Sequence, residues 1–154
     1  MKDVLSQGRM PGGRPLRRVG AAVLVLAASL ALAPAASATH PVTKRTATFK
    51  AVLQGSTHAP RINVMWPWSV HVSDLKGRPV AATITVQIRD PLGGIHPVAY
   101  GGTKTKYIVN RPFRGVFCDY VIFPPESKGF RLTLRMTVKV KTRRVLLTYA
   151  ATPR

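Results

Sequence analysis

Cys118 is the only cysteine in a chain of 154 residues, and the histidines are four: His40, His58, His71 and His96. A thiolate nucleophile needs an imidazole within hydrogen-bond reach, so Cys118 with His71 or His96 is the pair that folding would have to assemble. Acids are as scarce: Asp3, Asp74, Asp90, Asp119 and Glu126. Asp74 opens "DLKG" and Asp90 opens "DPLGG", both with the composition of turns, which leaves few carboxylates for acid–base work. The sequence contains no Gly-x-Ser-x-Gly elbow, no His-Glu-x-x-His and no ligand cluster at metal spacing. No catalytic residue, metal site or cofactor is therefore expected, and the protein reads as no enzyme, with a small thiol-dependent enzyme using Cys118 as the alternative. In the apolar stretch "GVFCDYVIF" the thiol is expected to be buried and free, as unpaired cysteines usually are.

The charge inventory points to binding. Lys and Arg number 24 against five acids, a formal net charge of +19. Arg131, Arg135 and Lys139 recur every fourth residue, which on a strand places them on one face about 13 Å apart. Lys141, Arg143 and Arg144 extend the row into the next segment. A repeating polyanion would lie along such a stripe: nucleic acid, anionic lipid headgroups or the phosphate-rich polymers of a bacterial wall. Aromatic residues do not interleave with the cations, which argues against a stacking platform for single-stranded nucleic acid. A strand with one solvated face also needs polar residues there whatever it binds. A further alternative is a saccharide-binding module using Trp66, if the turn at Pro67 displays its ring.

The elements that must position these residues come after a leader. Arg14, Arg17 and Arg18 precede the apolar run Ala21 to Ala33, and Ala36-Ser37-Ala38 follows. That order predicts a signal peptide over residues 1–38, because a spanning helix needs about 20 apolar residues. The mature domain, 39–154, keeps most of the charge, since of the basic residues only Lys2, Arg9, Arg14, Arg17 and Arg18 precede it. Export makes nucleic acid an unexpected partner, and no membrane span is expected after cleavage. With one cysteine no intrachain disulfide can form, so stability must come from packing.

From Thr39 to Lys44 the chain reads as a polar lead-in, and Thr46 to Leu53 suits a first strand. Ile62, Val64, Trp66, Trp68, Val70 and Val72 alternate with polar residues. Pro67 cannot donate to a ladder, which predicts a regular strand only from Trp68 to Ser73. "Asp74-Leu75-Lys76-Gly77" has the residues of a type I turn, and Ile84, Val86 and Ile88 form the returning strand. Residues 95–100, 104–109 and 114–123 read as extended, interrupted at Gly101-Gly102 and Arg111-Pro112. Phe130, Leu132, Leu134, Met136, Val138 and Val140 then alternate with Arg131, Thr133, Arg135, Thr137 and Lys139, and Val145, Leu147 and Tyr149 mark a last strand. Seven or eight short strands without any helical period predict an all-β antiparallel sandwich.

Within this pattern, "VHVSDLKGRPVAATITVQI" resembles the bacterial immunoglobulin-like domains of secreted and surface proteins, of the invasin and intimin type. Val70, Val72, Asp74, Gly77, Pro79 and Val80 carry the resemblance, with "FRGVF" and "GFRLTLRMTVKV" fitting the second half of such modules. It implies an immunoglobulin-like sandwich and an extracellular, non-enzymatic role. The expectation is a secreted monomeric module, associated with the cell envelope or wall, whose partner is an anionic envelope polymer or another secreted protein.

Overall fold

Alternation of apolar and polar side chains dictates strands that bury one face. The computed structural model, which describes residues 40–154 apart from Gly102 and Lys104, is built from such strands. The expected leader, residues 1–38, lies outside the described residues. Nine strands follow in order: β1 (Val42–Arg45), β2 (Phe49–Gly55), β3 (Met65–Asp74), β4 (Ala81–Arg89), β5 (Ile95–Pro97), β6 (Arg111–Arg114), β7 (Val116–Ile122), β8 (Leu132–Val140) and β9 (Arg143–Ala151). A single 3-10 turn at Pro125–Ser127 is the only helical element among the described residues. None of their helices is long and apolar enough to cross a membrane.

One sheet has the order β1-β2-β3-β7, and the other β5-β4-β8-β9, with β6 sharing the outer side of β4 with β5. Every strand pair is antiparallel. Phe49, Leu53, Val70 and Val72 from the first sheet and Ile84, Val86, Leu134, Met136, Val138 and Leu147 from the second are buried in one apolar cluster. The chain is thus an all-β protein of two antiparallel sheets enclosing a common core.

The strands number nine rather than seven or eight because two pieces do not announce themselves, while the stretch 104–109, expected to be extended, contributes only an isolated bridge from Tyr107 to Ala99. Val42–Arg45 carries Thr43, Lys44 and Arg45, the composition of a lead-in, yet it pairs along β2 from Val42 opposite Leu53 to Arg45 opposite Lys50. At a sheet edge a strand can be polar, and charge there deters further pairing. The regular part of the next strand accordingly begins at Phe49, not Thr46. The Arg111-Pro112 interruption is β6, another edge piece, where proline is tolerated.

Pro67 likewise lies inside β3, which starts at Met65 rather than at Trp68. Its carbonyl accepts the Ser56 N–H at 3.1 Å. A residue in a strand points its N–H and C=O to the same side, so the absent N–H faces the place where β2 has just ended at Gly55. Only the reciprocal bond back to Ser56, one residue past the end of β2, is forfeited. Trp66 and Trp68 therefore keep the parity of Val70 and Val72, and both point inward, 2 % and 3 % exposed. Trp66 packs against Phe123 and Tyr149 with centroids 5.7 and 5.6 Å away, and its Nε1 donates to the Thr57 carbonyl at 2.8 Å. His58 stacks on the far side of Tyr149 at 4.2 Å. Gly55 makes room for this cluster: a Cβ there would stand 2.5 Å from Trp66 Cζ2 and 3.0 Å from Tyr149 Cζ.

The β3–β4 turn follows the chemistry of its residues. Asp74 C=O accepts the Gly77 N–H at 3.1 Å, and Gly77 has φ +82°, the left-handed region that glycine occupies freely. Asp74 Oδ1 accepts the N–H groups of Lys76 and Arg78, each at 2.9 Å. The Arg78 N–H and then its guanidinium, 2.7 Å from Oδ2, hold the Asp74 carboxyl below its ordinary value of 3.8.

Candidate functional site: a cationic sheet face

Pairing registers determine which side chains share the outer face of the second sheet. Across β4, β8 and β9 they form four rungs: Thr83, Lys139 and Arg144; Thr85, Thr137 and Leu146; Gln87, Arg135 and Thr148; Arg89, Thr133 and Ala150. Arg114 on β6 stands opposite Ala81, one step beyond the first rung. The inner parity of the same strands carries Ile84, Val86, Leu134, Met136, Val138 and Leu147, all buried. The apolar half of each strand thus forces its Arg, Lys, Thr and Gln onto one outward surface.

This surface carries five cations, Arg89, Arg114, Arg135, Lys139 and Arg144, among hydroxyl and amide groups. It has no carboxylate. The ion pairs among the described residues are Arg78 with Asp74 and His96 with Asp90, and neither involves a cation of this face. Lys139 and Arg144 are direct cross-strand partners. Like charges placed opposite each other on adjacent strands, about 4.5–5.5 Å apart at Cβ, destabilise a sheet. An anion bridging them would remove that repulsion.

The residues expected to form the stripe divide. Arg135, Lys139 and Arg144 lie together on the face. Arg131 is exposed just before β8, on the outward parity. Lys141 sits in the β8–β9 turn with φ +53°. Arg143 pairs with Val140 and so belongs to the inward parity, beyond the end of the packed interior. Sequence reasoning missed Arg89 and Arg114. Arg89 was readable from the odd positions of β4, where it continues the series Thr83, Thr85 and Gln87; Arg114 became visible only once β6 was known to be a strand.

Two other expectations are corrected. Trp66 is buried in the four-ring cluster, so its faces are taken by Phe123 and Tyr149 and offer nothing to a saccharide. Cys118 is exposed, not buried. Its parity on β7 is that of Val116, Tyr120 and Ile122, whereas Phe117, Asp119 and Val121 point inward. Apolar neighbours in sequence concealed this, because Val116 and Ile122 are themselves about half exposed. His71 reaches the same outer face as Cys118: Cys118 pairs with Ser69 and Val116 with His71, a diagonal relation. No hydrogen bond joins the two among the described residues. His96 is elsewhere, its Nε2 2.9 Å from Asp90 Oδ2. No group of three or more His, Cys, Asp or Glu among the described residues is arranged to hold a metal ion.

The chain matches no protein family, no curated protein and no solved structure.

Proposed function

We propose that this chain is a secreted immunoglobulin-like module that binds an anionic, phosphate-bearing polymer of the cell envelope across the outer face of β4, β8 and β9. The strand order supports the immunoglobulin-like reading. Consecutive strands β3 and β4 lie in different sheets, β7 returns to β3, and β8 and β9 add to β4, as E returns to B and F and G join C in such sandwiches. The observation that carries the binding reading is the Lys139–Arg144 pair. Two cations face each other on a surface that carries no carboxylate and whose other side chains are mostly hydrogen-bonding Thr and Gln, with Leu146 and Ala150 among them. Arg135 and Arg89 continue the positive row along the strands.

The test is retention on isolated cell walls and on immobilised polyphosphate over a salt gradient. Binding at low ionic strength and release by moderate salt are expected, with the triple variant Arg135→Gln, Lys139→Gln, Arg144→Gln eluting earlier on both supports. Retention at about 1 M salt, where the Debye length is about 3 Å, or an unchanged elution of the triple variant, overturns the reading.

A further inference from the structure

The opposite charge preference is built at one end of the sandwich. There the β4–β5 turn and the connection between β7 and β8 line an open groove of about 660 Å³. Its floor is apolar, formed by Ile88, Val121, Phe123 and Leu132. On its rim stand Leu92 and Phe130, 97 % and 54 % exposed. Large apolar side chains left in water beside a concave apolar surface mark a binding site, and the volume falls in the range of about 300–1,000 Å³ typical of small-molecule sites.

The charges around it run against the rest of the molecule. A chain with 24 Lys and Arg and five acids places no Lys or Arg in this lining, yet two of its carboxylates, Asp90 and Glu126, are there. Asp90 is engaged, since Oδ1 accepts the Gly94 N–H at 2.8 Å and Oδ2 meets His96. Glu126 is exposed on the 3-10 turn and enters no ion pair among the described residues. An extended peptide finds no continuous edge here, because Gly101 lies against β7 at Asp119 and Tyr120. A compact ligand suits the groove better.

We propose that this groove binds a cationic amphiphile: an apolar body on Ile88, Val121, Phe123 and Leu132, beneath Phe130, with an ammonium group at Glu126. A fatty acid or other anionic amphiphile would bring its headgroup to the Glu126 carboxylate, which has no ion-pair partner among the described residues. The site is separate from the cationic sheet face and stands or falls independently of it.

Isothermal titration with dodecyltrimethylammonium and with dodecanoate, each below its micelle concentration and in about 0.15 M salt to screen long-range charge, tests the assignment. One equivalent of the ammonium probe is expected to bind, and dodecanoate at least about tenfold more weakly, even though a net charge of +19 attracts the anion. Phe130→Ser should weaken the ammonium probe about tenfold through lost apolar contact. Leu92→Ser, at a residue almost wholly in solvent, should weaken it in the same direction. Glu126→Gln should level the two probes without abolishing either. Dodecanoate binding as tightly as the ammonium probe to the unaltered protein, or titrations unmoved by both Phe130→Ser and Leu92→Ser, overturns the proposal.

Discussion

The backbone N–H of Gly101 is shared by both carboxylate oxygens of Asp119, at 3.1 Å each. Asp119 lies on β7, the outermost strand of its sheet, and its Oδ1 also accepts the N–H of the next residue, Tyr120, at 2.8 Å. A Cβ at position 101 would collide with Asp119 Oδ1 and stand 2.7 Å from Tyr120 Cε1. The contact lays the chain at Tyr100 and Gly101 against the unpaired side of β7, which covers an edge that would otherwise invite another strand. Asp119→Ala should therefore lower stability by about 2 kcal/mol, the scale of hydrogen bonds to a charged acceptor, and should promote self-association. Urea denaturation and sedimentation velocity check the two effects; a destabilised variant that stays monomeric would show that the edge is guarded by something else.

The glycine beneath Trp66 is a steric requirement with a definite partner. Gly55→Ala should destabilise the fold by about 1–3 kcal/mol through overpacking. Trp66→Phe removes the two ring atoms nearest the added methyl, so the double variant should cost less than the sum of the single ones. A double-mutant cycle in urea measures this coupling, and strict additivity would place the strain elsewhere.

Stability should depend on acid through the β3–β4 and β4–β5 turns. The N–H and guanidinium of Arg78 lower the Asp74 carboxyl, and the His96 hydrogen bond lowers that of Asp90. A carboxyl depressed in the folded state stabilises the protein above its ordinary value of 3.8 and loses that contribution as pH falls through the lower folded value. The urea midpoint should be insensitive to these groups near neutrality and fall below about pH 4. Asp74→Asn should make the fall shallower.

Cys118 should react with a maleimide in the native protein, without denaturant, because its side chain points outward from β7. Cys118→Ser should leave stability within about 0.5 kcal/mol, as surface substitutions usually do. A thiol that labels only in urea would contradict the parity assigned to this strand.

Much of this was legible in the sequence where one face of a strand is buried. The alternation from Phe130 to Val140 identified β8, which lies centrally between β4 and β9 with Leu134, Met136 and Val138 in the core, although it begins only at Leu132 and leaves Phe130 exposed. "DLKG" announced a turn whose hydrogen bonds are the ones its residues favour. Legibility failed at edges. Val42–Arg45 and Arg111–Arg114 pair on one side only, so neither needs an apolar face, and their polar or proline-bearing sequences look like loops. It failed again at Cys118, where both faces of β7 are apolar in composition and only the pairing with β3 tells inside from outside. Arg135 and Lys139 followed from strand parity, whereas Arg144 was legible, with Lys141 and Arg143, only as a continuation of the charge. The β8–β9 register is what sets it opposite Lys139 while giving Arg143 the other parity. Arg89 was legible in the odd positions of β4, though sequence reasoning missed it, whereas Arg114 joined the face only through the pairing of β6 with β4, which no single strand encodes.

The ring cluster of His58, Trp66, Phe123 and Tyr149 gathers side chains from three well-separated stretches of chain. Such an interior cannot seal progressively during synthesis: Trp66 waits for Phe123, and both wait for Tyr149. Entropy must be surrendered over long loops before these rings reward it, which places refolding among the slow, millisecond-to-second topologies. Until Tyr149 emerges from the ribosome, Trp66 in the nascent polypeptide lacks one of the two rings that enclose it.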